Sequence, residues 1–192
     1  MQNTSNFSYI NNKKVINMKS EVLFREAEDD FFYFNKINSA MKKLELAVKL
    51  TPSHSKSLML LADIYFIKGN IKKALSVYQL LFDIGVKSPK CIASIANCFY
   101  SLQQYEDAVS WIDKAIEILN NQDYELFSQL MEIKINALVS NKKYKQAYIA
   151  FIHAQNVMDS VSLKNIYNSN YELINEKLKL QKKLKQSRLK IV

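Results

Sequence analysis

A small residue returns at a fixed interval along this chain, and that interval constrains the fold more than any other feature. Ala40, Ala74 and Ala108 are each separated by 34 residues. Self-similarity near this period is typical of stacked helix–turn–helix repeats, because one helix pair cannot bury its apolar face alone and packs on the next. The spacing predicts three successive repeats over 21–54, 55–88 and 89–122.

Large apolar residues recur at equivalent places in these repeats. The first helix of each repeat starts with one of them, at Phe24, Leu58 and Ile92. Another follows each alanine by four residues, at Leu44, Tyr78 and Ile112. We therefore expect the alanine to mark the point where the two helices of a pair cross closely, since a packed interior has no room for a larger side chain there.

The two ends of the chain depart from the repeat. Ala147 follows Ala108 by 39 residues, so about five residues are added around "NNQDYE", and a fourth repeat over about 128–161 has a longer first helix or a longer loop before it. Residues 164–192 predict an amphipathic capping helix with a Lys-rich end, because Tyr167, Tyr171, Ile174 and Leu178 have helical spacing. Residues 1–20 are polar and are expected to be disordered.

Composition supports a helical fold. The chain has only two Gly and two Pro in 192 residues, which is too few for the many tight turns of a β-sandwich or barrel. We predict an all-α solenoid of about four helix–turn–helix repeats over 21–163, followed by the capping helix. The N-terminal residues lack the continuous apolar stretch of a secretory signal, and no part of the chain has about 18 consecutive apolar residues, the length of a transmembrane helix. We therefore expect a cytoplasmic protein.

The positive charge lies at the ends of the chain. Of a net charge of +9, residues 1–20 contribute three Lys and no acid, and residues 164–192 contribute eight basic and two acidic residues. The remaining 16 basic and 16 acidic residues cancel. The predicted repeat body therefore carries no net basic field, which argues against nucleic acid as a partner for it.

No constellation of residues in the sequence indicates catalysis. His54 and His153 have no His or Cys at ligand spacing, and a metal site needs three or four converging ligands. Cys91 and Cys98 are seven residues apart on one predicted helix, where they cannot pair, and are expected to fill the core. We therefore expect a non-enzymatic protein with no catalytic residues, no metal and no cofactor.

The second and third repeats resemble the tetratricopeptide repeat in "LMLLADIYFIKGNIKKALSVY" and "CIASIANCFYSLQQYEDAVSWIDKAI". The resemblance covers about 21–160 and implies a concave groove lined by the first helices. Carried over position by position, it implies a partner-binding groove formed by Phe32, Met59, Asp63, Phe66, Asn97, Tyr100, Asn136 and Val139. The alternative is that the aromatic residues among them are core between the two helices of a pair, because helical spacing is also typical of core.

One known use of such a groove is a clamp of basic and amide side chains on a partner's terminal carboxylate. The corresponding positions here are Arg25, Asp29, Asp63, Lys90 and Ser94. Two aspartates would repel a carboxylate, so the sequence does not predict this clamp.

Repeats two to four also resemble the class II chaperones of bacterial type III secretion, which hold translocator subunits before export. The segments that carry this are "ALSVYQLLFDIG", "CFYSLQQYEDAVSWI" and "YKQAYIAFIHAQNVM". The resemblance implies an extended, largely apolar client segment in the groove and a homodimer formed through N-terminal helices.

Two other functions stay open. The first is a general scaffold that brings protein partners together. The second is a module tethered by its basic ends to nucleic acid or an anionic membrane, since clustered Lys attracts phosphate. The second is the weaker, because Lys-rich helix ends are commonly just solvated and 25 of the 27 basic residues are Lys, leaving few Arg for bidentate recognition.

Overall fold

The structure is a computed structural model that describes the backbone of residues 2–119, 123–157 and 171–182, and their side chains from residue 12 onward. Within these ranges the chain is all-α and contains no strand, as predicted. The helices are α1 (Gln2–Phe32), α2 (Ile37–Leu50), α3 (Ser55–Ile67), α4 (Ile71–Asp83), α5 (Pro89–Ser101), α6 (Tyr105–Glu117), α7 (Tyr124–Ser140), α8 (Tyr144–Val157) and α9 (171–182).

The helices form two compact units that divide between Lys87 and Ser88. In the first unit α1 packs on α2, α2 on α3 and α3 on α4, and α1 also contacts α3. In the second unit α5 packs on α6, α6 on α7 and α7 on α8, and α5 also contacts α7. Each unit thus holds two helix pairs, and we call the first helix of a pair (α1, α3, α5, α7) its A helix and the second its B helix.

The recurring alanines lie where the sequence register places them, on the four B helices. All are fully buried: Ala40, Ala74, Ala108 and Ala147. The large residues four positions later in the first three pairs, Leu44, Tyr78 and Ile112, are buried as well. Each B helix therefore presents one small and one large side chain to the core, one turn apart on the same face.

The turn between the two helices of each pair repeats with the same period as the alanines. One residue of each turn has a positive φ: Asn35 (51°), Gly69 (75°), Gln103 (61°) and Lys142 (57°). After α3, Gly69 N donates to Phe66 O at 2.9 Å and Asn70 N donates to Tyr65 O at 2.8 Å, which satisfies the last carbonyls of the helix. Gly is the residue that most readily adopts a positive φ, and only the second of these turns has Gly at this position. The residue types at the other three positions therefore do not predict where the turns lie.

The N-terminal segment differs from its prediction. The sequence predicts disorder over 1–20, but α1 is one helix from Gln2 to Phe32. Ser20 is fully buried, its Oγ donates to Ala47 O at 3.3 Å, and it shares a hydrogen bond of 2.8 Å with Thr51 Oγ1. These contacts attach the middle of α1 to α2 and to the turn after it, and tertiary packing of this kind sustains a helix that its polar composition does not reveal.

Glu21 links α1 to the start of α3. Its Oε1 accepts from Lys56 Nζ at 3.0 Å, and its Oε2 lies 3.1 Å from His54 Nε2. His54 is also the N-cap residue of α3, because its Nδ1 accepts from Ser57 N at 3.4 Å. The hydrogen bonds from Lys56 and then His54 hold the pKa of Glu21 below its ordinary value of 4.5.

This link predicts a pH dependence of stability. A carboxylate with a lowered pKa in the folded state contributes stability above its unfolded pKa and loses it as the pH falls through the folded value. We expect Glu21→Gln to unfold at a lower temperature than the wild type at neutral pH, with the difference shrinking below about pH 4.5. Thermal melts across this range test it, with Glu132→Gln, an exposed carboxylate on α7, as the control. A difference that stays constant down to low pH would contradict the role of the Glu21 charge.

The fourth helix pair begins at Tyr124, earlier than the predicted 128. Its A helix has 17 residues, four more than the 13 of α5, so four of the five added residues lengthen the helix. Asp123 caps it by accepting from Leu126 N at 3.1 Å. Of the two alternatives that the sequence left open, the longer helix is the one observed.

Helix α9 packs on the last pair, where the sequence places a capping helix. Ile174 is fully buried in the same cluster as Ile135 and Phe151, and the ring centroids of Tyr171 and Phe151 are 5.0 Å apart. The remaining parts of the predicted capping segment, 164–170 and 183–192, lie outside the described residues.

Candidate peptide-binding faces

Four of the predicted groove residues lie on the A helices of the first unit: Phe32 on α1, and Met59, Asp63 and Phe66 on α3. We call them the first-unit face. Met59, Asp63 and Phe66 follow one another by four and three residues and therefore share one side of α3. All three are half-buried, and Phe32 is largely exposed. These side chains are accessible to a partner.

The carboxylate of Asp63 is fixed by the neighbouring B helix. The hydroxyl of Tyr78, a buried residue of α4, donates to Asp63 Oδ1. Asp29, the equivalent residue of α1, is exposed. With these two carboxylates, the first unit favours N–H donors or cations on a ligand and disfavours a terminal carboxylate.

Three consecutive aromatic side chains are exposed at the end of α1. The exposed fractions of Phe32, Tyr33 and Phe34 are 63%, 80% and 61%. Because α1 ends at Phe32, Tyr33 and Phe34 lie in the turn before Asn35. They are therefore not on the side of α1 that packs against the core. Sequence reasoning selected Phe32 alone. The signal it missed is the run "FFYFN", whose consecutive aromatics cannot all face one core.

The other four predicted residues lie on the A helices of the second unit: Asn97 and Tyr100 on α5, and Asn136 and Val139 on α7. We call them the second-unit face. All four are half-buried. The Tyr100 ring is tilted against Tyr105 at a centroid distance of 5.8 Å. Val139 packs against the core cluster around Phe151.

A pocket of about 300 Å³ opens beside Tyr105 in the second unit. Val109 and Leu138 supply apolar walls, and an ion pair lies at its rim, where Lys143 Nζ donates to Glu106 Oε1 at 2.6 Å. This hydrogen bond holds the pKa of the Glu106 carboxyl below its ordinary value. The pocket could not be predicted from the sequence, because α6, α7 and α8 all contribute to it.

The two His and the two Cys residues of the chain take part in helix capping or in packing. His54 caps α3, as described above. The His153 ring meets Phe127 edge-on at 5.7 Å, beside a pocket of about 430 Å³ that also includes Ile116 and Tyr124. Cys91 and Cys98 are fully buried, as expected of thiols that fill the core.

The part of the chain that the structure describes offers neither a cluster of metal ligands nor a helix fit to span a membrane. Among the described residues, no group of three or more His, Cys, Asp or Glu is placed to hold a metal ion. None of the helices in that part of the chain combines the length and the apolar character needed to span a bilayer.

Comparisons with known proteins agree with this architecture. Residues 35–115 match the family model of anaphase-promoting complex, cyclosome, subunit 3. The first tetratricopeptide repeat domain of Spaghetti (RPAP3), solved with the HSP90 peptide SRMEEVD, has a TM-score of 0.57 at 20% identity and covers 64% of this chain and 95% of its own.

Two other solved structures cover more of the chain. A structure of MamA protein has a TM-score of 0.66 at 14% identity, over 86% of this chain and 90% of its own. YrrB, described as a tetratricopeptide repeat protein with an unusual peptide-binding site, has a TM-score of 0.54 at 17% identity, over 83% and 84%. At such identities these matches establish the fold, which is that of a tetratricopeptide-type helical repeat.

Proposed function

We propose that this chain is a non-enzymatic protein-binding module that holds an extended, largely apolar client segment against its A helices. The observation that carries the proposal is the accessibility of Phe32, Phe66 and Tyr100. These aromatics occupy equivalent positions of three A helices and none of them is fully buried. Residues that only filled the core between the helices of a pair would be buried, as Tyr78 is.

The chemistry of both faces suits a polypeptide ligand. Aromatic side chains give large contact areas at low cost in conformational entropy. Asn97 and Asn136 each have an amide that donates and accepts, which matches the alternating groups of an extended backbone. The repeat domain of Spaghetti binds a peptide of HSP90, and YrrB has a peptide-binding site. The carboxylates of Asp29 and Asp63 argue against a ligand that, like the HSP90 peptide, is acidic at its C-terminus.

The more specific role that we propose is a cytoplasmic chaperone for translocator proteins of type III secretion, acting as a homodimer. Its support is the resemblance of "ALSVYQLLFDIG", "CFYSLQQYEDAVSWI" and "YKQAYIAFIHAQNVM" to that class, together with faces that suit an apolar client. A general scaffold is the second candidate. It is favoured by the ion pair of Glu106 and Lys143 at the rim of the pocket beside Tyr105, because this polar rim would accept a more polar ligand.

The test is to replace Phe66 and Tyr100 singly with Ala and to measure both client affinity and thermal stability. Loss of a true anchor costs about 2 kcal/mol or more, so we expect roughly thirtyfold weaker binding of a translocator peptide by isothermal titration calorimetry. The melts should change little, because neither side chain is fully buried.

The matched control is Phe82→Ala, which removes a half-buried aromatic from the B helix α4 and should leave affinity unchanged. A collapsed melt in Phe66→Ala and Tyr100→Ala would show that these rings are core and would refute the proposal. Equal affinity for translocator peptides and unrelated apolar peptides would favour the general scaffold.

A further inference from the structure

Helix α1 has a second apolar face that points away from the core. Phe24 and Ala27 are buried against the rest of the first unit. Val15, Met18 and Val22 are exposed by 62%, 61% and 55%. They follow one another by three and four residues and so form one stripe, and Val22 lies about 200° around the helix from Phe24. This spacing is the one with which two helices pack along a common seam. We call Val15, Met18 and Val22 the outward stripe.

The stripe is flanked by positive charge. Lys14 precedes Met18 by one turn, Lys19 follows Val15 by one turn, and both are exposed on either side of the stripe. No acidic residue occurs in residues 1–20. The nearest acidic residues of α1 are paired with other helices, since Glu21 contacts Lys56 at 3.0 Å and Glu26 lies 3.3 Å from Lys43. The charge beside the stripe is therefore not balanced by its own helix.

This charge distinguishes between possible occupants. A second copy of α1 would bring its own Lys14 and Lys19 against the same residues, and like charges flanking a seam oppose pairing. The homodimer proposed above would therefore form through a surface other than this stripe. A membrane surface is also a poor match, because the stripe has three residues and none is Trp, Phe or Leu. A helix with an apolar seam flanked by Asp and Glu satisfies both the apolar stripe and the lysines.

We propose that the outward stripe of α1 is a docking surface for an acidic amphipathic helix of a partner protein. The surface is separate from the first-unit face: Val22 and Phe32 are ten residues apart on α1, about 15 Å along the helix axis. A partner could therefore dock here while a client occupies the first-unit face, and loss of either binding activity would leave the other intact.

The experiment uses the full chain and a labelled three-heptad peptide with Leu at the a and d positions and Glu at e and g, followed by fluorescence anisotropy. Its Glu rows repel one another, which keeps the peptide from pairing with itself. We expect the peptide to bind, and Met18→Ser with Val22→Ser to weaken binding by about tenfold or more. Lys14→Glu with Lys19→Glu should transfer the preference to a peptide with Lys at e and g. Ile149→Ser, which alters an exposed apolar residue on α8, should bind as the wild type does.

Circular dichroism melts of all variants test whether the fold is retained. We expect it to be retained, because the altered side chains are exposed. Three outcomes would overturn the proposal. A wild-type dimer in light scattering that Met18→Ser with Val22→Ser converts to a monomer would make a second copy the occupant. If the wild type bound phosphatidylglycerol vesicles and Met18→Ser with Val22→Ser abolished that binding, the occupant of the stripe would be a membrane surface. Failure of the acidic peptide to bind, or binding unaffected by the stripe and lysine variants, would remove the surface altogether.

Discussion

Replacing Phe151 with Ala should lower the free energy of unfolding of the second unit by about 3–5 kcal/mol. Phe151 is fully buried on α8 and shares its cluster with Met131 and Ile135 of α7 and with Ile174 of α9. Removing the ring leaves a cavity between three helices, and helices that are held on both sides cannot close it fully. The attachment of α9 should weaken as well, since Tyr171 packs directly on the ring.

Unfolding of the second unit can be followed by the fluorescence of Trp111, because it is the only Trp of the chain and lies on α6 of that unit. Its ring stacks on Phe99 at a centroid distance of 6.4 Å, so its fluorescence should change when the unit unfolds. Urea titrations of the wild type and Phe151→Ala give the difference in free energy. Ile149→Ala, an exposed change on the same helix, should stay within about 0.5 kcal/mol. A loss below about 1 kcal/mol for Phe151→Ala would contradict the packing described here.

Ala108→Leu should destabilise the same unit by about 1–3 kcal/mol or more, for the opposite physical reason. Ala108 is fully buried in the first turn of α6, a helix that packs on α5. A longer side chain there must force the helices apart or adopt a strained rotamer, because a packed interior has no volume to give.

Ser110→Leu is the matched control for Ala108→Leu, since it adds a leucine to the same helix at an exposed position. It should change stability by no more than about 0.5 kcal/mol. Both are measured by urea titration with Trp111 fluorescence. If Ala108→Leu proved as stable as the wild type, the alanine period would not mark the helix crossing, and the repeat register would need a different explanation.

The helical repeat could be predicted because its signals are local and recur. Ala40, Ala74 and Ala108 return with one period, and each is buried where that period places it. Cys91 and Cys98 are expected in the core because free Cys is commonly buried and neither has a ligand partner at the right spacing, and both are buried. Signals of this kind depend on which face of a helix a residue occupies, and that face follows from the sequence without knowledge of distant contacts.

The candidate site was only partly accessible to the same reasoning. Phe32, Phe66 and Tyr100 were selected as equivalent positions of successive repeats, and the structure leaves all three accessible. Exposure of Tyr33 and Phe34 was missed, because it depends on where α1 ends, and no Gly or Pro marks that end. The hydrogen bond from Tyr78 to Asp63 was also unforeseen, since it joins two helices whose relative rotation the period does not give.

By itself the sequence determined the helical class, the repeat period, the buried small residues and the chemistry of the exposed positions, because each follows from side-chain size and spacing along single helices. The tertiary structure alone decided that α1 continues through the polar N-terminal segment, where Ser20 bonds to Ala47 and Thr51 of α2. It also decided that the chain divides after Lys87 and that the outward stripe of α1 faces solvent. These features depend on contacts between residues far apart in the chain, whose free energies no local pattern encodes.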